Sequence, residues 1–163
     1  MSRHQAAMLM PLMLCSCSTW FASDTGYMPN HQVVQNTKPA EAAEILSRVT
    51  ATAGGGSVGL KRWAFQITTE GYTCQEETAA FGGTNTLSIR FANIQHTTMT
   101  RVPNVGGTPV LYRVHLIDHQ GSTADTLVWR VTPVHTEEHC KELAETAVDA
   151  LEVLIKNAQR RNP

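Results

Sequence analysis

The sequence lacks the excess of positive charge with which nucleic-acid-binding proteins hold phosphate groups. Its 163 residues contain 13 Lys and Arg against 14 Asp and Glu, for a formal net charge of −1 at pH 7. No serine stands in a G-x-S-x-G turn, and the glycine run at residues 54–56 lacks the spacing and the Lys-Ser or Lys-Thr pair of a phosphate-binding loop. These absences argue against a nucleic-acid partner, a serine hydrolase and a P-loop site.

The N-terminal residues have the three parts of an export signal. A positive start at Arg3 precedes an apolar stretch from Ala6 to Leu14 and a processing site with a small residue. The apolar stretch is too short to span a bilayer, which takes roughly 20 apolar residues. Cys17 is preceded by leucine at minus three and by Ser16 at minus one, whereas Cys15 follows a leucine that is too large for the processing site.

This arrangement resembles the lipobox of bacterial lipoproteins. The resemblance implies that residues 1–16 are removed as a signal peptide, that Cys17 is lipidated, and that the lipid holds the protein to a membrane outside the cytoplasm. Position 18 is Ser18 rather than the Asp that favours retention in the inner membrane of such lipoproteins. We therefore expect the outer membrane, with the protein facing the periplasm. The alternatives are an ordinary secretory signal and a mis-assigned start with a cytosolic product.

Lipidation of Cys17 would leave Cys74 and Cys140 as an even number of cysteines in an oxidising compartment. We predict that they are a candidate disulfide. The alternative is a pair of buried free thiols.

The remainder of the chain divides by composition. Residues 17–38 show no sustained period and are predicted to be a lipidated flexible tether. A short helix is predicted over 39–53, with its helical turns from about 39 to 51, followed by a glycine-rich hinge at 54–57. The main domain covers 58–158, and 159–163 form a tail.

The main domain is predicted to be α+β. Apolar residues alternate with polar ones in several runs, which indicates half-buried antiparallel strands, five to seven in all. The clearest runs are Trp63-Phe65-Ile67, Leu87-Ile89-Phe91, Tyr112-Val114-Leu116 and Leu127-Trp129-Val131. An amphipathic helix from about 137 to 157 follows, with one apolar face made of Cys140, Leu143, Ala144, Ala147, Leu151 and Leu154.

This order of elements, together with the segments TLSIRFANIQHTTMTRV, YRVHLID and TLVWRV, resembles that of pleckstrin-homology-like domains. The resemblance implies a strongly bent antiparallel sheet closed at one end by the C-terminal helix. In members that bind phosphoinositides, basic residues cluster around the loop between the first two strands. Here that loop, residues 68–71, contains Glu70 and no base, and only Lys61 and Arg62 stand nearby. Phosphoinositide binding is therefore disfavoured.

Residues 135–139 match H-x-x-E-H, the inverted zinc-protease motif. We expect His135 to precede the helix rather than to lie in it, and few residues remain downstream to supply a third ligand. A helix cap with acids in its first turn explains the pattern better. No metal or cofactor is predicted, although His115 or His119 could contribute to an adventitious metal site.

The scarcity of candidate catalytic groups leads us to predict a binding protein rather than an enzyme. The first hypothesis is a membrane-anchored scaffolding module that docks on other envelope proteins, with strand addition at an open sheet edge as one mode. The alternative is a carrier of a small ligand or lipid, which requires an apolar cavity of at least about 300 Å³. A zinc enzyme using the histidines around His135 is a third hypothesis.

Overall fold

The computed structural model describes residues 22–55, 60–78, 83–104 and 107–161. The elements are, in order, β1 (Ser23–Asp24), α1 (His31–Asn36), α2 (Pro39–Thr50), β2 (Gly54–Gly55), β3 (Leu60–Ile67), β4 (Gly71–Thr78), β5 (Thr84–Arg90), a 3-10 turn (Phe91–Asn93), β6 (Ile94–Val102), β7 (Leu111–Asp118), β8 (Thr123–Arg130) and α3 (Glu137–Arg161). Within these ranges every strand pair is antiparallel, so the predicted α+β class is confirmed. No helix in the described ranges is long and apolar enough to cross a membrane.

The strands lie in two sheets, where the sequence predicts a single bent one. The main sheet has the order β1-β6-β7-β8-β2, and the second sheet has the order β3-β4-β5. The described strands do not close into a barrel. The split follows from the 3-10 turn between β5 and β6, in which Phe91 is 0% exposed. Because Phe91 is fixed in the core, β5 and β6 diverge at this turn into different sheets.

α3 packs on one face of the main sheet, which we call the inner face. Most of the predicted apolar stripe is buried here. Cys140, Ala144, Ala147, Leu151 and Leu154 are at most 2% exposed, whereas the sixth predicted residue, Leu143, is only partly buried. The sheet contributes Met99, Val114, Leu116, Leu127 and Trp129 to the same core cluster. The buried surface of α3 is wider than predicted and includes Val148 and Ile155, because α2 also packs against α3. Burial of each large apolar side chain contributes roughly 1.5–3 kcal/mol.

α2 covers part of the core beside β8. Pro39 stands in its first turn, where a missing N–H costs nothing. Ala42 and Leu46 are 0% exposed, and the indole Nε1 of Trp129 donates to the Val49 carbonyl at 3.0 Å. This hydrogen bond satisfies the buried indole and fixes the end of α2 on the main sheet.

A bulge in β3 changes which side chains face the interior. The register with β4 shifts after Trp63, so that Ala64, at a φ of 53°, and Phe65 stand opposite the single residue Cys74. A bulge moves the alternation of faces by one residue. Trp63 therefore turns outward and is 42% exposed, while the Arg62 side chain turns inward and is 5% exposed. The predicted alternation of Trp63 with Phe65 is wrong at Trp63.

Residues 22–38 carry defined structure, where the sequence predicts a flexible tether. β1 pairs with β6, and the Asn30 side chain accepts hydrogen bonds from the first backbone N–H groups of α1. Asp149 of α3 accepts a hydrogen bond from the Tyr27 hydroxyl at 3.1 Å and from the Asn30 backbone N–H at 2.8 Å. These contacts attach the segment to the domain.

Asp149 gives this attachment a pH dependence of defined sign. Burial raises the pKa of its carboxyl group, although the hydrogen bonds from Asn30 and Tyr27 oppose the shift. The folded protein therefore binds this proton more readily than the unfolded chain does. The free energy of unfolding then falls as the pH rises from the ordinary Asp pKa through the raised one.

We expect Asp149→Asn to remove the contribution of Asp149 to this decrease in the free energy of unfolding, because the amide oxygen still accepts both hydrogen bonds but carries no buried charge. Urea unfolding at a series of pH values between about 4 and 7 measures the free energy of unfolding of each variant. The exposed Asp24→Asn serves as the control. An Asp149→Asn profile that parallels the native one would contradict the prediction.

The ends of two predicted segments also differ. Gly54–Gly55, predicted as part of a hinge, form β2 opposite Val128 and Leu127 of β8. α3 continues to Arg161, beyond the predicted end at 157, and includes part of the predicted tail.

Candidate functional site

β5 is an outer strand of the second sheet, and its second side pairs with no strand of the described residues. Five of its seven residues, Thr84, Asn85, Thr86, Ser88 and Arg90, are exposed. The strand has no proline and no register shift, and its one charged residue, Arg90, stands at its end. Proteins usually protect such edges with charges, bulges or proline. With respect to the described residues, β5 is therefore an open edge.

The backbone groups on this edge can be identified. The Phe91 N–H donates to the Glu70 carbonyl at 2.8 Å, so these two residues form a hydrogen-bonded pair. In an antiparallel ladder such pairs alternate with pairs whose backbone groups point away. The N–H and C=O groups of Thr86 and Ser88 therefore point to the free side of β5 and are available to an added strand.

A groove of about 840 Å³ adjoins the end of β5. Arg90 of β5, Glu70 of the β3–β4 turn and Arg161 at the end of α3 line it, with threonine, serine and amide side chains between them. Gly71 also lines it, where a Cβ atom would lie 2.1 Å from the Ile89 carbonyl oxygen. The groove is open, with a lining that mixes polar and apolar groups, and so differs from the apolar cavity between sheet and helix that a lipid carrier requires.

A buried polar cluster joins the two sheets. The Arg62 guanidinium donates to both carboxylate oxygens of Asp125, at 2.8 and 2.9 Å, and to the Thr126 carbonyl at 3.2 Å. It also donates to Glu76 at 3.2 Å, and the Tyr72 hydroxyl donates to Asp125. The side chains of Arg62 and Asp125 are each 5% exposed. We call these four side chains, Arg62, Asp125, Glu76 and Tyr72, the interior ion cluster.

The electrostatics of the interior ion cluster favour the protonated forms of Tyr72, Arg62 and the adjacent Cys74. Burial raises the pKa of Tyr72 well above its ordinary value, and the Asp125 charge adds to the rise. Burial works against the charge of Arg62, but hydrogen bonds and attraction from Asp125 outweigh it and raise the pKa of Arg62. Burial also raises the pKa of the adjacent Cys74 thiol, against the opposing effect of Arg62. This environment disfavours a Cys74 thiolate, the form that acts as a nucleophile.

The H-x-x-E-H segment lies at the start of α3. Thr136 caps the helix by accepting from the His139 backbone N–H at 3.2 Å, and His135 precedes the helix, as predicted. The two histidine rings stack with their centroids 5.5 Å apart. Glu137 accepts hydrogen bonds from Arg101 at 2.8 Å and from Tyr112 at 3.1 Å. Among the described residues no three His, Cys, Asp or Glu side chains are grouped as metal ligands.

His115 and His119, the two histidines considered for an adventitious metal site, are engaged in hydrogen bonds. His115 lies within 3.0 Å of the Thr100 hydroxyl and 2.9 Å of the Thr126 hydroxyl. The Nε2 atom of His119 lies 3.1 Å from the Ala92 carbonyl oxygen.

Cys74 and Cys140 are both buried free thiols, so the predicted disulfide is not seen. Cys74 lies beside Asp125, a β8 residue that stands opposite the end of β7. Cys140 lies beside Glu137, whose side chain contacts Tyr112 near the start of β7. More than about 10 Å of strand separates these two positions, and a disulfide needs Cα atoms within about 7 Å. The third predicted site residue, at position 17, lies outside the described residues.

Of the residues that the sequence analysis singled out, Arg62 enters the interior ion cluster, in a role other than phosphoinositide binding. Asp125, Tyr72 and Glu76 were missed, because each stands singly in an unremarkable strand. A carboxylate at an inward position of β8 was the one available signal, since such a residue needs a buried partner. Comparisons of the chain with protein-family models, with curated proteins and with solved structures found no match in any of the three.

Proposed function

We propose that the protein is a non-catalytic binding module of the cell envelope, which holds an extended segment of another protein along β5. A lipid on Cys17 anchors the module to the outer membrane on the periplasmic side. The observation that carries the binding role is the unpaired β5 edge, whose outward N–H and C=O groups are those that a fourth strand would use. The lipid anchor rests on the sequence of the leader.

The composition of β5 supports strand addition. Thr86 and Ser88 are small enough to let an incoming strand approach, and neither brings a charge. Main-chain hydrogen bonds supply the affinity in this mode, and side chains near the strand end supply selectivity. The guanidinium groups of Arg90 and Arg161 in the adjoining groove favour a segment that carries an acidic residue at that end.

The carrier hypothesis is the weaker one on the same observations. The groove exceeds the volume that a small ligand needs, but its open mouth and partly polar lining would leave an acyl chain in contact with water.

Replacement of Ser88 tests strand addition directly. Ser88→Pro removes an N–H that points to the free edge and leaves the hydrogen bonds to β4 intact. The matched control, Ser88→Val, changes the side chain and keeps the N–H. With a photoreactive amino acid at position 86 of the full membrane-anchored chain, we expect a crosslinked adduct that Ser88→Val retains and Ser88→Pro loses. An adduct that is equally strong in both variants would contradict the proposal.

A second measurement applies if Ser88→Pro folds poorly. Hydrogen exchange of the Thr86 and Ser88 amides in the native chain should be slower in envelope membranes than in the purified protein, since an added strand protects both groups. Equal exchange in the two preparations would exclude a partner strand at this edge.

A further inference from the structure

Arg113 is a buried cation on the outer face of the main sheet, the face turned away from α3. It lies in the central strand β7, opposite Thr100 of β6 and Val128 of β8. The residue is 9% exposed, and its Nε atom is sealed from solvent without a hydrogen-bond partner. In the described part of the chain no ion pair involves Arg113. A buried charge normally has a partner, because desolvation is otherwise costly.

No Asp or Glu of the chain supplies that partner. All 14 acidic side chains belong to described residues, and on this face the register places only Asp24, of β1. Two strand spacings, about 10 Å, separate it from Arg113, and its Oδ1 atom accepts from the Gly26 N–H at 2.9 Å. Among the described residues Arg113 therefore has no anionic partner, and the missing negative charge would come from another molecule.

The surroundings of Arg113 indicate which anion fits. Its neighbours on the face are hydroxyl and imidazole groups, those of Thr100, Thr126 and His115, joined by hydrogen bonds. Val102, Leu111 and Val128 form an apolar cluster beside them, each at most 7% exposed. The remaining titratable groups that the register places on this face are His96 and Arg130. An oxyanion there would meet a planar donor fork, several hydroxyl groups and little water.

We propose that the outer face of the main sheet is a binding site for a phosphate group, with Arg113 as its principal ligand. Phosphate fits better than carboxylate because it carries more acceptor oxygens than one guanidinium satisfies. The neutral His115 ring accepts from one of the two threonine hydroxyls and donates to the other, and the hydroxyl that accepts from it can donate to a phosphate oxygen. The phosphate group belongs either to a free anion or to a lipid headgroup. This site lies on a different sheet from β5 and stands independently of strand addition.

Thermal unfolding of the full chain with added inorganic phosphate tests the site, with chloride at equal ionic strength as the reference. We expect saturating phosphate to raise Tm by about 5 °C in the native protein and to leave Arg113→Met unchanged. Arg130→Met, which removes the other arginine of this face, should keep the response. A native protein that does not respond, an equal response in Arg113→Met, or an equal response to acetate would overturn the phosphate assignment.

Vesicles distinguish the two sources. A lipid headgroup as the ligand predicts that phosphatidylglycerol vesicles bind the native protein more tightly than Arg113→Met, whereas a free anion predicts equal vesicle binding and a response to inorganic phosphate alone. Either result supports a phosphate site.

His115 provides a readout that does not depend on a variant. Burial, and then the charge of Arg113, lower the pKa of His115. Bound phosphate offsets that charge, so the pKa of His115, followed by its ring proton resonances, should rise when phosphate is added. The His96 resonances on the same face provide the internal comparison. A His115 titration that phosphate does not move would contradict binding at Arg113.

Discussion

Asp125→Ala is expected to lower the free energy of unfolding by about 3–5 kcal/mol, the usual cost of removing one partner of a buried ion pair. Arg62 would lose its two shortest hydrogen bonds, and Glu76, with a side chain 21% exposed, replaces them only in part. The Tyr72 hydroxyl would also lose its acceptor. In thermal unfolding, this corresponds to a decrease in Tm of about 10 °C.

Two further variants test whether the loss of stability comes from an unpaired buried charge. Arg62→Met combined with Asp125→Leu removes both charges and should recover much of the loss, because two apolar side chains leave no buried charge unpaired. Glu44→Gln, at an exposed position of α2, should change stability by less than about 0.5 kcal/mol. A loss below about 1 kcal/mol in Asp125→Ala would show that the cluster does not hold the two sheets together.

Gly71→Ala should lower the free energy of unfolding by about 3 kcal/mol, nearly as much as Asp125→Ala, although it adds only a single methyl group. The new Cβ would lie 2.1 Å from the Ile89 carbonyl oxygen, so β4 and β5 would have to move apart at their junction. The neighbouring atoms belong to the backbone, which cannot move aside as a flexible side chain can. Moving the two strands apart would weaken the hydrogen bonds between β4 and β5 that also hold Phe91 in place. Guanidinium-induced unfolding measures the effect.

Gly83→Ala provides the matched control. No atom lies within 4 Å of a Cβ atom built at Gly83, so this variant should be neutral within about 0.5 kcal/mol. Equal stability of the two alanine variants would contradict the close approach of β4 and β5 at Gly71.

The periodic elements could be predicted because their signal is local. α3 repeats its apolar residues at spacings of three and four, and the alternation in β7 and β8 is unbroken through Val114 and Leu127. The division into two sheets could not be predicted, because it depends on where Phe91 is buried. The outward direction of the Trp63 side chain depends on the positive φ of Ala64. A glycine in a sequence indicates that a positive φ is possible, whereas an alanine gives no such indication.

The candidate sites were less accessible to sequence reasoning than the fold. The alternation of β5 was recognised, but only the sheet order shows that it has an unpaired side. Arg113 stands between Tyr112 and Val114, so its outward direction follows from the pattern. Its burial and the absence of a partner depend on the whole tertiary structure. The pairing of Arg62 with Asp125 joins residues that no short motif connects.

With the proposed lipid on Cys17, the placement of β1 would limit how far the domain can move from the membrane. Because Ser23 is already paired with Arg101 of β6, a lipid on Cys17 would be joined to the folded domain by the few residues between 17 and 23. Six residues span at most about 20 Å when fully extended, less than the thickness of the hydrocarbon core that the lipid enters. The domain would then lie against the headgroups with the β1 end of β6 nearest the bilayer. Partners would reach it along the membrane surface rather than from the centre of the periplasm.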